Sequence, residues 1–398
     1  MRVLLNTLTV EGPRTGIGHY TGELLRCLRR GWPDVVETFP PGWLRQARAA
    51  WARHSQQGGA SGGPASWWNR IRQTVRESVL GLARSGGRTL IRMAFREAIR
   101  RGAFDLYHEP NFIPFAGDLP TIATVHDLSV ILHPEWHPTA RVAHFEKHFL
   151  PGLKRCVQLL AISECGKSEI VRHLGWPAEK VSVTYMGVRQ GLQRVDGERL
   201  SQTLKTLGLK AGYLLHVGTL EPRKNVLMLL KAYCDLPASV REKHPLVLVG
   251  GKGWNVDDVH VYLNDQARHK GVRWLGYVEE KHFAGLYSGA RALVFPTLYE
   301  GFGMPTVEMF ATGGAVLAST AVAVAETAGS QAHLIHPHDL QSWRDSMFRV
   351  CSDHEWWLSL REGAEQAAAP FTWEKCAERT FDAYCRIATT APPRRQAA

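Results

Sequence analysis

Short apolar runs alternate with amphipathic helical patterns along almost the whole chain. The runs fall at Arg2–Thr7, Leu106–His108, Thr121–Val125, Gln158–Ile162, Val181–Val183, Tyr213–Val217, Pro245–Val249, Val272–Trp274, Ala292–Phe295 and Ala315–Ala318. Runs of this length, rich in β-branched and aliphatic residues and bounded by Gly, Pro, Asn or Asp, predict strands. Leu246-Val247-Leu248-Val249 is apolar throughout rather than alternating, as a strand covered on both faces is. Strands separated by helical stretches predict an α/β protein with mostly parallel, doubly wound sheets.

The pattern divides into two halves. A first domain over residues 1–190 is expected, then a polar connector at 191–210 that is poor in β-formers, then a second domain over 211–372 that restarts at Tyr213-Leu214-Leu215-His216-Val217-Gly218. Gln56–Ser66 is rich in Gly and Ser and predicts a long loop inside the first half. The tail Thr389–Ala398, with Pro-Pro and Arg-Arg, is expected to be disordered. Two such Rossmann-like domains would face each other across a cleft at the carboxyl ends of their strands, so the loops after the strands are where chemistry is sought.

Composition narrows the classes. Of 398 residues, 44% are hydrophobic and 21% charged, which excludes wholesale disorder, collagen and a small disulfide scaffold. No uncharged apolar stretch is long enough to span a bilayer. The start, Met1-Arg2-Val3-Leu4-Leu5-Asn6, reads as a strand running into a turn rather than an export leader. Cysteines at 27, 156, 165, 234, 351, 376 and 385 form no Cys-x-x-Cys pair, which predicts reduced thiols in a cytoplasmic protein. Charge is concentrated. Residues 41–101 carry twelve arginines, no lysine and only the acids Glu77 and Glu97, against a net charge of +11 for the whole chain. Trp43, Trp51, Trp67 and Trp68 accompany them. Nucleic-acid motifs are absent, which leaves an anionic membrane surface or a solvated arginine-rich face.

Four motifs follow strands. Gly16-Ile17-Gly18-His19-Tyr20-Thr21-Gly22 opens a helix, where bare amides can meet a phosphate; a tight strand-to-helix turn is the alternative. Thr124-Val125-His126-Asp127 puts His126 at a strand's carboxyl end. His108-Glu109-Pro110-Asn111 ends a neighbouring strand. Gly218-Thr219-Leu220-Glu221-Pro222-Arg223-Lys224-Asn225 sets a forked and a point cation at a strand-to-helix junction, suited to a diphosphate. Most distinctive is Glu300-Gly301-Phe302-Gly303-Met304-Pro305-Thr306-Val307-Glu308: two carboxylates flank a glycine-rich helix start in which Pro305 takes an early position. A carboxylate pair of a glycosidase is the competing reading, but the helix start between the two favours a phosphorylated ligand.

Together these motifs resemble the retaining glycosyltransferases of family 4, with the GT-B fold, over nearly the whole chain. The form Gly-Thr-Leu-Glu-Pro-Arg-Lys-Asn is similar to the mannosyltransferase-like branch that builds bacterial polysaccharide and O-antigen. The resemblance implies an acceptor-binding first domain with an arginine-rich insertion at 41–101, a nucleotide-sugar-binding second domain, and a C-terminal helix within 373–398 that crosses back to the first domain. It implies that Gly16 and Gly18 approach the donor phosphate, that His126 lies beside the transferred sugar, and that Thr219, Arg223 and Lys224 meet the diphosphate. Glu300 would hold sugar hydroxyls and Glu308 the ribose, with Gly301 and the amides of Phe302, Gly303 and Met304 lining the pocket. His126, Arg223, Lys224 and Glu300 are the expected catalytic group. Two positions depart from the family pattern: Thr219 stands where many relatives carry Arg, and Val324-Ala325-Glu326 lacks the proline of a Leu-Pro-Glu element.

The implied reaction moves a hexose, mannose from GDP-mannose in this branch, to a saccharide or lipid-linked saccharide, without metal or other cofactor. GDP-rhamnose or a UDP-sugar as donor, and a nucleotide-sugar epimerase on the same fold, are the alternatives. A nucleic-acid partner is not expected. The protein is expected in the cytoplasm, at the inner face of the membrane if the segment 41–101 binds lipid.

Overall fold

Strands without a polar face need cover on both sides, and parallel strands obtain it from the crossover helices that connect them. The computed structural model describes residues 1–10, 16–40 and 89–390. Its strands are β1 (Val3–Asn6), β2 (Val36–Phe39), β3 (Leu106–Glu109), β4 (Thr121–Val125), β5 (Cys156–Ala161), β6 (Val181–Val183), β7 (Tyr213–Val217), β8 (Leu246–Val249), β9 (Val272–Gly276), β10 (Ala290–Phe295), β11 (Ala315–Ser319) and β12 (His333–Ile335). They form two parallel six-stranded sheets, in the orders β2-β1-β3-β4-β5-β6 and β12-β11-β10-β7-β8-β9.

In the second sheet the chain builds outward from β7 through β8 to β9, then returns to the other side of β7 with β10 and builds outward again. The strand order therefore reverses between β7 and β10, and the loops leaving these two strands open side by side. Tyr213 to Val217 alternate between two cores. Leu214, Leu246, Leu248 and Val294 join one cluster, and Leu215, Val247, Val249 and Phe295 join the other. That two-sided burial is why the strands read as unbroken apolar runs. In the first sheet the reversal lies between β1 and β3, where Asn6 Nδ2 donates to Glu109 Oε2 at 2.7 Å.

Every predicted strand is present within two residues of its expected bounds, and two more appear. β2 is four residues with an exposed and a half-buried position in its middle, and β12 is three residues at the sheet's edge. Neither is long or apolar enough to stand out as a run. The stretch expected as a connector holds the helix Gly197–Leu207, which ends at Gly208 in the left-handed conformation. Leu204 is its only buried residue, so its polar composition hid a single apolar stripe. Thr389 and Thr390, expected in a disordered tail, close the helix Trp373–Thr390. Residues 41–88, including the Gly/Ser-rich stretch and most of the arginine-rich segment, and 391–398 lie outside the described residues; a helix occupies 89–101.

By contacts the chain separates into two units. One comprises Met1–Thr124, Phe149–Leu159 and the chain from Thr380; the other comprises Val125–His148 and Leu160–Arg379. In the first, Phe381 stacks on Trp32 at 4.1 Å and the Tyr384 hydroxyl meets His108 Nδ1 at 2.6 Å. In the second, the start of the same helix lies against Gly187, where a Cβ would come within 2.3 Å of the Trp373 nitrogen.

Candidate active site

The turn after β7 and the loop after β10 are clasped through their backbones. The Arg223 carbonyl accepts from the Leu298 amide at 2.7 Å and from Thr297 Oγ1 at 2.8 Å. Pro222 starts a single helical turn, Pro222–Lys224, which Asn225 ends in the left-handed conformation. The Asn225 amide group donates to the carbonyls of Pro296 and Pro337 at 3.1 and 2.7 Å. Under this turn the backbone of Gly218 runs so close to Gly250, at φ +145°, that a Cβ on Gly250 would lie 2.0 Å from the Gly218 oxygen.

Four charged groups meet there. Glu300 Oε1 accepts from the Lys224 ammonium and from Thr297 Oγ1 at 3.0 Å. Glu300 Oε2 accepts from Arg223 Nη1 at 2.6 Å, and Arg223 Nη2 reaches Glu221 Oε1 at 2.7 Å. Glu221, Lys224 and Glu300 are buried, and the Arg223 side chain nearly so. Burial pushes the Glu300 carboxyl upward, but Arg223 and Lys224 outweigh it and hold it at about 2. Burial, with Arg223 adding to it, lowers Lys224 despite the Glu300 carboxylate. Arg223 moves the other way: burial opposes its charge, and Glu300 and Glu221 more than offset that. Two basic and two acidic side chains are thus paired within one cluster. The sequence places Arg223 and Lys224 as cations suited to a diphosphate; the structure gives both of them carboxylate partners of the chain's own.

Glu300 leads into a loop with little freedom. A Cβ on Gly301 would lie 1.9 Å from the carbonyl oxygen of His126, and the Gly301 carbonyl accepts from Ser163 Oγ at 2.8 Å. The buried His126 is thus pressed backbone-to-backbone against the glutamate loop. Gly303 has φ +98° and precedes the helix Met304–Ala311, with Pro305 in its first turn. Phe302 packs edge-on to Phe371 at 5.4 Å, and its carbonyl accepts from Thr327 Oγ1 at 2.9 Å. Thr219 is exposed.

Glu308 has a separate set of partners. It is 1% exposed, Oε1 accepts from Arg189 Nε at 2.7 Å, and Oε2 accepts from the Tyr287 hydroxyl at 2.7 Å. The Arg189 guanidinium lies over the Phe283 ring at 4.0 Å. Gly16 and Gly18 begin the helix Gly16–Gly31 in the other unit, and a Cβ on Gly16 would meet nothing within 4 Å. Sequence reasoning did not find Glu221, Thr297, Arg189 or Tyr287. Only Glu221 lay inside a recognised motif. Among the described residues no group of three or more His, Cys, Asp and Glu side chains is arranged to hold a metal ion.

Two parallel six-stranded α/β sheets, with buried cations and carboxylates gathered where the strand order of the second reverses, define a glycosyltransferase of the GT-B class. The family described as Glycosyltransferase Family 4 matches residues 16–190, and that described as Glycosyl transferases group 1 matches 211–353. O-antigen chain mannosyltransferase B of Escherichia coli is 31% identical over 388 residues, which are 96% of this chain and 99% of that protein. The serotype-specific mannosyltransferase WbdA of Escherichia coli is 26% identical over 68% of this chain, a match covering 34% of WbdA. The crystal structure of Anabaena Alr3699/HepE in complex with UDP and glucose aligns with a TM-score of 0.65 at 17% identity, over 97% of this chain and all of that one, which shows the shared fold. The chain belongs to glycosyltransferase family 4, and it is a hexosyltransferase.

Proposed function

We propose that the protein transfers mannose, with retention of configuration, from GDP-mannose to a saccharide or lipid-linked saccharide acceptor during assembly of a cell-surface polysaccharide. The observation that carries this reading is the binding of Arg223 and Lys224 to one carboxylate, Glu300, at the junction of β7 and β10. The names of the O-antigen mannosyltransferases it resembles support the sugar and the product class.

Glu300 is the counter-ion of both cations. An incoming nucleoside diphosphate takes over Arg223 and Lys224, which leaves Glu300 to accept sugar hydroxyls. Thr219 and the amides of Phe302, Gly303 and Met304 complete the donor pocket, and Gly301 lets the loop reach it. Glu308 takes ribose hydroxyls, and His126 lies beside the sugar. The bond between the anomeric carbon and the diphosphate oxygen breaks as positive charge builds on the sugar. The acceptor hydroxyl bonds to the same face of that carbon, and its proton passes to the departing diphosphate. Fixed cations lower the barrier by stabilising charge on the leaving group, with no metal or other cofactor in the scheme. Closure of the protein around the donor would limit hydrolysis.

The partner surface in this reading is the arginine-rich segment 41–101, set against an anionic membrane at the cytoplasmic face. Within its described part, the helix at 89–101, Leu90 and Met93 are 65% and 62% exposed, and Arg92 and Arg96 have no ion pair among the described residues. Among the described residues no helix is long and apolar enough to cross a membrane.

The test is thermal unfolding with GDP, UDP, dTDP and ADP. A nucleotide at 100 times its dissociation constant stabilises a fold by about 2.7 kcal/mol. Selective stabilisation by GDP is expected. Selective stabilisation by UDP would favour the second reading, a UDP-hexose donor, since HepE was crystallised with UDP and glucose. Stabilisation by none of the four would overturn the assignment.

A further inference from the structure

Beside Glu300 lies a group of rings that the transfer scheme does not use. His133 stacks on Trp136 with centroids 3.9 Å apart and planes 14° apart, and both are half-buried. Tyr299, the residue before Glu300, meets His133 edge-on at 5.7 Å and Trp136 at 6.4 Å. The Tyr299 ring is fixed from two sides: its hydroxyl accepts from the Leu128 amide at 3.0 Å and donates to Glu169 Oε2 at 2.5 Å. Trp136 is held from behind by Trp254, whose indole nitrogen donates to the Trp136 carbonyl at 2.9 Å; the Trp254 face is itself covered by the Arg141 guanidinium at 5.5 Å. Asp127, half-buried at the start of the same segment, uses only Oδ1, which accepts from the Ser129 amide and hydroxyl at 2.9 and 2.7 Å. Its Oδ2 has no hydrogen-bond partner among the described residues.

We propose that the stacked pair Trp136 and His133, with Asp127 Oδ2, forms the subsite for the terminal pyranose ring of the acceptor. This rests on the transferase reading above. A pyranose has one face of C–H bonds and a rim of hydroxyls. The first matches a flat ring held rigidly at half exposure, and the second matches a carboxylate oxygen with an open lone pair. Tyr299 makes this subsite continuous with Glu300, so a ring seated there brings a hydroxyl to the edge of the Arg223–Lys224–Glu300 cluster.

The test uses saturation-transfer NMR with methyl α-D-mannopyranoside and α1,3-linked mannobiose on the full chain, alongside nucleotide-induced stabilisation of the same samples. The wild type should saturate the ring C–H protons of the terminal sugar on one face. Trp136→Leu, which keeps bulk but not the aromatic face, should abolish the signal while the nucleotide shift stays unchanged, and Trp136→Phe should restore most of it. In transfer assays with mannobiose, Trp136→Leu should raise the acceptor KM at least tenfold and leave the donor KM within twofold. No saturation of either saccharide by the wild type, or an undiminished signal in Trp136→Leu, would overturn the proposal. If Trp136→Leu loses its nucleotide shift as well, the rings only support the fold and the proposal also fails. A wild type that binds the saccharides but no nucleotide would instead count against the transferase reading.

Discussion

The carbonyl oxygen of His126 occupies the space that a side chain on Gly301 would need, 1.9 Å from its ideal Cβ. Two loops expected to carry the chemistry, one ending β4 and one following β10, are thus in register through backbone contact. Gly301→Ala must push them apart, since the opposing atom belongs to the main chain. The expected cost is about 1–3 kcal/mol, the range for overpacking a well-filled site. Thermal unfolding of the variant checks this, and a melting temperature equal to wild type would show that the loops yield freely.

Lys224→Ala should lower turnover by about 10²–10³-fold, the scale for losing one preorganised charge partner. Its stability should fall less than that of Glu300→Ala. The first leaves Glu300 with Arg223 and Thr297, whereas the second strips Lys224 of its carboxylate and leaves Arg223 with Glu221 and the Tyr299 carbonyl. Unpairing a buried ion costs about 3–5 kcal/mol. Steady-state kinetics and denaturant unfolding of both variants separate the two effects.

Glu221→Gln keeps an acceptor for Arg223 while removing one of the two carboxylates that neutralise the cluster. GDP should bind this variant more tightly than wild type, with a steeper weakening by added salt. Calorimetric titration at two ionic strengths measures both, and equal affinities would mean that Glu221 remains screened from the ligand.

Glu109 gives the fold a pH dependence. Burial raises its carboxyl to about 7, against the hydrogen bonds from Tyr107, Asn6 and Asn111 that favour the charged form. The folded protein therefore holds this proton more strongly than the unfolded chain does. Its contribution is fully present below about pH 4.5 and is lost as pH rises towards 7, an effect of about 3 kcal/mol. Across pH 5–8 the unfolding free energy of the wild type should fall relative to that of Glu109→Gln, whose side chain does not ionise; parallel curves would show that burial does not raise this carboxyl.

Much of this architecture is written in local pattern. β8 is an unbroken apolar run because both its faces are covered, and β7, β10 and β11 carry shorter apolar runs for the same reason, so each could be located from a few residues. β2 and β12 escaped because they are too short to show a pattern of their own. The helix start at Gly303 and Pro305 was legible from turn chemistry. The partnership of Lys224 with Glu300 was not, because the two are 76 positions apart and meet only through the crossover that sets β10 beside β7. Arg189 is the clearest case of hidden placement. It falls at the expected end of the first domain, just ahead of the connector, yet it supplies the cation for Glu308, and no spacing in the chain joins it to the helix Met304–Ala311.

Arg223 and Lys224 with Glu221 and Glu300 amount to two positive and two negative charges, sunk together in one buried cluster. Seen from solution such a cluster is nearly neutral. On the donor-binding reading proposed above, such a cluster is expected to draw passing phosphate, polyphosphate or nucleic acid only weakly. In the proposed scheme a ligand must offer groups placed well enough to exchange partners with carboxylates already seated, so admission would depend on shape and on what the displaced carboxylate gains in return. Selectivity of that kind survives in a cell crowded with anions, where a bare pair of cations would be continually occupied by the wrong ones.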